Sequence, residues 1–561
     1  MTNRRTYTII GVVLIISIFF GFYVLQNQQK VPSGQDVYIL VNQVGYFPNG
    51  QKVAIIRTNE DLAGQKIKLI NMNTSEAIDI DIGPDLGEGY NFKYHFIINF
   101  TEVKTTGTYY FELGDIQSYT FRISNNLYNK VFGDVFNFFQ LNHCGKSLYH
   151  GTCHIDDGII ANGPHKGTYV NVTGGWHDAG DYIKFTSPAA ETLILLMETV
   201  LLNPATAEDS SITEEIEWGL EWMEKLWIPD WNELIFMVGN RTDHEQGIRL
   251  PEKDSLHDRP VYVCEEGKGA NVAGQVSAVF SLAYMLSLKG IINPDRAEDY
   301  KRLAMEIYEF GEANKGLQEV GLGDWIAYPD WGWQDDMALA AVLLFNITGE
   351  KTYYDNATVY LAEYANVSDV SYTISNLLAM YHLYTVGFTE AFDDLYYDLL
   401  WNLNIMHKDP LFWPWPEYYW GSLYTYLTLA FAEFLYRTTT GSTYFSQFSI
   451  NALDYIFGRN QWSICFVTGY GTRYPHHLHH QILYLKKLDV PGILAEGGVS
   501  KKLIQDMDID ILPASEDPYA NLQSDKAFYQ DAYWNYLTNE PTIRAQALLA
   551  FILSVHISQN S

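Results

Sequence analysis

Residues 36–126 read as short apolar runs broken by turns. "VYILVNQVGY", "KVAIIRTN", "KIKLINM", "FKYHFIINF", "GTYYFEL" and "YTFRIS" are rich in β-branched and aromatic side chains, and Gly, Asn, Asp and Pro separate them. Blocks of that length and spacing predict an all-β sandwich. After Tyr128 the period changes. "AAETLILLMETVLL", "GQVSAVFSLAYMLSL", "RAEDYKRLAMEIYEF", "DDMALAAVLLFNITG", "TISNLLAMYHLYTVG" and "RAQALLAFILSVH" place apolar residues at helical spacing, and several stop at Gly. Long loops rich in Trp, Tyr, Gly and Pro lie between them. The pattern predicts a large all-α domain over residues 127–561, a helical toroid whose loops build a cleft at one end.

The first 35 residues form a separate unit. Arg4 and Arg5 precede nineteen uncharged, mostly apolar residues, 7–25, enough helix to cross a hydrocarbon core of about 30 Å. The basic side predicts a cytoplasmic N-terminus and an exported remainder. No small-residue cleavage site follows, so an uncleaved signal anchor is expected, with secretion after cleavage as the alternative. Seven N-x-S/T sequons, at Asn73, Asn99, Asn171, Asn240, Asn346, Asn356 and Asn366, fit an extracellular chain.

A length of 561 residues fits two or more domains. The 36 basic and 67 acidic side chains leave a net charge of −31, which argues against a nucleic-acid partner. Aromatics at 15% exceed ordinary core needs and suit a cleft for a neutral, hydroxyl-rich ligand.

"GGWHDAGDYIKF" sets Asp178 and Asp181 three apart on a Gly-rich turn. An Asx-type turn explains such spacing without any chemistry. A carboxylate base that activates water explains it too, and would need a separate acid about 6.5–9.5 Å away. In "YQDAYWNYLTNEPTIRAQALLAFIL", Glu540 stands before an apolar helix with Pro541 after it. A first-turn Glu suits the helix dipole. Tyr529, Tyr533, Trp534 and Tyr536 crowd the approach, however, and rings around a carboxyl raise its pKa, as an acid catalyst requires. "FVTGYGTRYPHHLHHQ" carries His476, His477, His479 and His480 without zinc spacing, which suits sugar contacts. Trp176, Trp413, Trp415 and Trp420 are candidates to stack on glucose faces, although core packing explains any one of them.

Taken together and in this order, the three stretches resemble glycoside hydrolase family 9, over residues 36 to about 555. "ILVNQVGYFPNGQKVAI", "YYWGSLYTY" and "GILAEGGVS" look like further landmarks of that family. The resemblance implies an immunoglobulin-like β-sandwich followed by an (α/α)6-barrel catalytic domain. It implies inverting cleavage of β-1,4-glucan or cello-oligosaccharides, with Asp181 as general base, Asp178 aiding the water and Glu540 as general acid. His479 would contact the sugar, Asp531 and Tyr536 would support the acid's loop, and Trp420 would join them in the substrate site. The expected chain is a monomer that meets the membrane only through its N-terminal segment. Gln481 replaces the Arg that usually closes the histidine signature; a charged, forked donor to sugar hydroxyls is then absent, or supplied elsewhere, such as from Arg473. Gln546 and Leu423 stand where Asn is usual. These changes are expected around the cleft and bear on substrate and cutting mode. An exo-acting β-glucosidase or glucosaminidase of the same family is one alternative, and an inactive glycan-binding protein is another.

"HCGKSLYHGTCHIDD" brings Cys144, Cys153 and His154 close, and His177 precedes the aspartate turn. Spacing alone suits a Cys144–Cys153 disulfide in an exported chain. Two thiolates and two imidazoles also suit a closed tetrahedral zinc site, and the family resemblance implies that structural zinc. Cys264 and Cys465 read as buried or reducible thiols. Asp330, Asp335 and Asp336 precede a helix, which predicts an N-cap; the resemblance adds calcium as an alternative there.

Overall fold

The computed structural model describes residues 37–254, 259–323, 325–364 and 373–560. The apolar run 7–25 and Asn366 lie outside them. The nine strands before the first helix form two sheets. One holds β1 (Val37–Leu40), β3 (Val53–Thr58) and β6 (Tyr94–Asn99). The other runs β2 (Gly45–Tyr46), β9 (Phe121–Ile123), β7 (Gly107–Leu113), β4 (Lys66–Asn71) and β5 (Ala77–Asp81), with β8 (Ile116–Gln117) against β7. Ile39, Ile56, Leu69, Phe96, Phe111 and Phe121 fill the space between the sheets. The even spacing of these positions explains why the strands were legible.

Among the described residues twelve α-helices have ten residues or more: α1 (Asn129–Asn142), α2 (Thr186–Leu202), α3 (Ser210–Met223), α4 (Ala270–Leu288), α5 (Ala297–Ala313), α6 (Gln334–Thr348), α7 (Lys351–Tyr364), α8 (Ile374–Thr385), α9 (Asp393–Met406), α10 (Ser422–Thr440), α11 (Gln447–Ile456) and α12 (Ile543–Asn560). The even-numbered ones form a closed ring, α2–α4–α6–α8–α10–α12 and back to α2. The odd-numbered ones lie outside, α5 on α4, α7 on α6 and α1 on α12. This is the expected (α/α)6 barrel. The inner helices α2, α4, α6 and α12 are buried almost all round, and the outer α5 along one face only, as a double ring requires. Among the described residues, the two helical stretches apolar and long enough to cross a membrane, Ala270–Leu288 and Tyr536–Asn560, are inner-ring segments buried in the barrel. Helix α6 stops at Gly349, whose φ of 73° closes the helix end.

The sandwich is bolted to the barrel through "NQ" of its first landmark. Asn42 donates to Asp454 Oδ1 at 2.9 Å. Gln43 pairs its backbone N–H with Phe457 O at 2.8 Å and its side-chain amide with Ser463 O at 2.8 Å. Its Oε1 accepts from the N–H groups of Thr472 (2.8 Å) and Arg473 (3.2 Å). Tyr90 OH donates to Asp409 at 2.8 Å across the same junction. Arg473 itself lies over the Tyr519 ring, 4.5 Å from its centroid, so it is engaged there and does not stand in for the missing cleft arginine. Of the sequons, Asn73, Asn99, Asn171 and Asn346 are exposed, whereas Asn356 donates its Nδ2 to Tyr308 OH at 3.0 Å. Replacing Gln43 by Ala strands three backbone groups at the junction; stability should fall by about 2 kcal/mol, read as a lower urea midpoint.

Candidate active site

The aspartate turn runs directly into the strand Lys184–Phe185 and then α2, and Glu540 stands three residues before α12. Ring closure makes α2 and α12 neighbours, which brings the two motifs together. Backbone bonds then lace the loops. Ile543 N–H at the start of α12 donates to Asp178 O at 3.1 Å, Gln481 N–H to Gly180 O at 3.1 Å, and His479 N–H to Asn539 O at 3.1 Å. Gly180 N–H donates to Glu540 Oε1 at 3.3 Å. A Cβ on Gly180 would lie 2.0 Å from His479 O, so only glycine fits.

The carboxyls differ in their surroundings. Asp181 accepts from Ile183 N–H at 3.2 Å and from His244 Nδ1 at 2.7 Å. Burial pushes its pKa up, but the hydrogen bond and charge of His244 outweigh that and hold it below the ordinary carboxylate value. Burial and the Asp181 charge push Glu540 up to about 8. Asp178 is fully enclosed, and burial raises it to about 7 although Tyr328 OH donates to Oδ2. Among the described residues its Oδ1 has no hydrogen-bond partner. The site therefore holds one ionised carboxylate beside one protonated acid at neutral pH, the asymmetry that acid–base cleavage needs.

The other predicted contacts converge on the same place. His479 pairs Nδ1 with Tyr533 O at 2.6 Å, and burial lowers its pKa, keeping the ring neutral. Tyr536 stands 5.9 Å from the His479 ring and 5.5 Å from Trp420, which is 47% exposed. Asp531 accepts from the N–H groups of His476 (2.9 Å) and His477 (2.8 Å), clamping the histidine loop. Trp176 and Trp413 are only 1% exposed and belong to the core, so they are not sugar platforms. Trp415 packs against Trp413 and Tyr426.

Gln546 does not face the cleft either. It is fully buried, accepts from Leu494 N–H at 3.0 Å and donates to Val135 O at 3.2 Å, stitching α12 to a loop and to α1. Leu423 is core. Gln481 accepts from Arg249 N–H at 2.9 Å. Sequence reasoning missed Tyr328, Glu496, Arg544 and His244. Arg544 stacks between Tyr328 (4.6 Å) and Tyr424 (4.5 Å), and its charge favours ionisation of both Asp178 and Glu496. Its place in the first turn of α12, shortly after Glu540, was the available signal.

Cys144 and Cys153 are free thiols rather than a disulfide. Their sulfurs gather with nitrogens of His154 and His177, all within 4.8 Å of one another. The aspartates Asp335 and Asp336 lie in the first turn of α6, whose N-cap, Trp333, makes no side-chain cap. Asp330 accepts from Asn271 and Trp331 instead. Among the described residues these three aspartates do not converge as a metal-ligand group; the Cys/His cluster does.

A closed double ring of helices thus carries Asp178, Asp181 and Glu540 on loops laced together at its mouth. The chain belongs to glycosyl hydrolase family 9, whose profile matches residues 128–553, and the cellulase N-terminal ig-like domain matches residues 35–118. It is 22% identical over 582 residues to endoglucanase D of Acetivibrio thermocellus, across 94% of this chain and 84% of that one. Its fold matches a metagenome-derived family 9 endoglucanase with a TM-score of 0.78 at 22% identity, over 93% of this chain and 99% of the other. It also matches a Zn-binding triple mutant of the family 9 endoglucanase J30, with a TM-score of 0.75 at 20% identity over 91% and 99%. Changing Gly180 to Ala should push the His479 loop and Glu540 apart and cut kcat by about a hundred-fold, measured beside the melting temperature to separate misalignment from unfolding.

Proposed function

We propose that the protein is an inverting β-1,4-glucanase acting on cellulose-like chains or cello-oligosaccharides. Asp181 takes a proton from a water molecule as that water attacks the anomeric carbon. Glu540 gives its proton to the departing glycosidic oxygen. Asp178 receives the same water's second hydrogen bond. The observation that carries this reading is the asymmetry between Asp181, held ionised, and Glu540, pushed up to about 8, on loops tied through Gly180. Trp420, Tyr536 and His479 form an aromatic flank on which a sugar ring stacks. The apolar run 7–25 and the exposed sequons support an extracellular enzyme held by its N-terminal segment.

Cellohexaose followed by NMR tests the chemistry. Initial α-anomers, lost in Glu540→Gln and Asp181→Asn, are expected; initial β-anomers would sink the inverting mechanism. Mid-chain products mean endo cleavage, and glucose alone means an exo enzyme. Because Glu540 must be protonated to act, activity should decline above about pH 8 as the acid ionises.

The Cys/His cluster fits a structural zinc. Tetrahedral zinc with bonds of about 2.3 Å to sulfur and about 2.0 Å to nitrogen requires N···N near 3.3 Å and S···N near 3.6 Å. Here His177 Nε2 and His154 Nδ1 are 3.3 Å apart, and the Cys144–His154 and Cys153–His177 contacts are both 3.9 Å. His154 adopts a φ of 48°, a left-handed conformation that aims its ring inward. Its Nε2 meets Asp254 at 3.2 Å, the carboxylate partner common behind a ligating histidine. Zinc held by Cys144, Cys153, His154 and His177 would brace the residue before Asp178. Chelation should release about one zinc per chain, expose two further thiols to a thiol reagent and lower the melting temperature.

A further inference from the structure

Arg544, in the first turn of α12, is half-buried beside the reacting carboxyls. Its guanidinium lies between two rings, 4.6 Å from the centroid of Tyr328 and 4.5 Å from that of Tyr424. Both tyrosine hydroxyls are already committed. Tyr328, on the strand Trp325–Tyr328, donates to Asp178, and Tyr424, on α10, donates to Glu191 Oε1 of α2 at 2.6 Å. Stacking fixes the plane of a guanidinium but uses none of its five N–H groups. Among the described residues only charges act on Arg544, from the two tyrosines, Glu191 and Asp178, and no hydrogen bond or ion pair reaches it. The Glu496 carboxyl, 8% exposed, likewise has no hydrogen-bond partner among them, and the charges of Arg544, Glu540 and Asp178 bear on it.

We propose that Arg544 is a substrate-binding residue: its forked N–H groups donate to adjacent hydroxyls of the neutral sugar ring that lies against Asp178 and Glu540, with Glu191 and Glu496 flanking it as hydrogen-bond partners. The inference rests on the reading of the site as one that cleaves a glucan. A half-buried guanidinium with unpaired donors has lost part of its hydration, and a polyhydroxylated ligand restores those bonds. The two rings hold the side chain in one plane before the ligand arrives, so little rotamer freedom remains to be lost on binding. The surrounding charges select a neutral sugar. A uronate would meet Asp178, Glu191 and Glu496, and an amino sugar would meet the guanidinium. Burial raises Glu496 to about 8 and also raises Glu191, so both carboxyls hold protons more readily than in water and offer a donor as well as an acceptor. Two other arginines of the loops are engaged: Arg249 with Asp243 and Asp254, and Arg473 over the Tyr519 ring. With Gln at position 481, the forked donor of this cleft comes from the inner helix itself.

The test measures cellohexaose binding by calorimetry on the full-length protein carrying Glu540→Gln, which on the proposed mechanism binds without turnover. Adding Arg544→Met, which fits between the rings without a donor, should weaken binding by about thirty- to a hundred-fold. Arg544→Lys, which keeps the charge but not the fork, should weaken it by about tenfold. An arginine with a structural role alone would also lower affinity by disturbing Tyr328 and Asp178, so the contact is read directly as well. In arginine-labelled Glu540→Gln protein, the Nε–H resonance that disappears in Arg544→Lys should shift when cellohexaose saturates the site. Affinity within about threefold in Arg544→Met, or an Arg544 resonance that stays in place at saturation, would overturn the proposal and leave the glucanase reading standing. If melting shows that Arg544→Met has lost its fold, the resonance decides. Undiminished cleavage by Glu540→Gln, or no binding of cellohexaose to it, would remove the glucanase reading and this proposal with it.

Discussion

The site depends on one close approach of backbone. Gly180 N–H reaches Glu540, Gly180 O takes Gln481 N–H, and no side chain fits between Gly180 and His479 O. Three loops, the first of them 360 residues before the last, therefore share a single turn. Backbone hydrogen bonds are short, directional and independent of side-chain rotamer, so they set the relation of the loops more rigidly than side-chain contacts would. Burial follows from that lacing; it pushes Glu540 up, while at Asp181 the hydrogen bond and charge of His244 override it and hold that carboxylate low.

Around this turn the fold works in layers. The apolar inner ring fixes where α2 and α12 begin, and those starts are where the aspartate-bearing and glutamate-bearing loops attach. Asp178 O accepts from the first turn of α12, so the aspartate loop helps to satisfy that helix's unpaired donors. Behind it, the Cys/His cluster anchors His177, and Arg544 gathers Asp178 and Glu496 from the barrel side. The sandwich contributes no side chain to this group; Asn42 and Gln43 hold Asp454, Ser463 and the start of the histidine loop in place.

Much of this was legible in the sequence where one signal dominated. Strongly apolar inner helices such as α4, α6 and α12 stood out, and so did the Gly-rich aspartate turn. The outer helices α3 and α9 did not: "SSITEEIEWGLEWM" and "DDLYYDLLWNLNIM" bury one face and mix acidic with aromatic residues. Inner α10 was masked by its Thr and Tyr residues, which favour strands in isolation and are overruled by ring packing. β5, "AIDID", has an exposed face and no strong apolar run. His244 was invisible because strand pairing, not nearness in sequence, brings it to a residue 63 positions away. Gln546 misled for the opposite reason: a family position that touches the cleft by sequence order points into the core.

Ring closure between α2 and α12 also has a temporal meaning. A chain emerging from the ribosome N-terminus first makes the aspartate turn early and the glutamate loop last, 360 residues later. Contacts of such long sequence separation form slowly and late. Until the final helix docks, the inner ring has an open edge and the carboxylates have no protonated counterpart beside them. With Glu540 as the proposed acid, the chain stays without activity until its last inner helix has been made and docked.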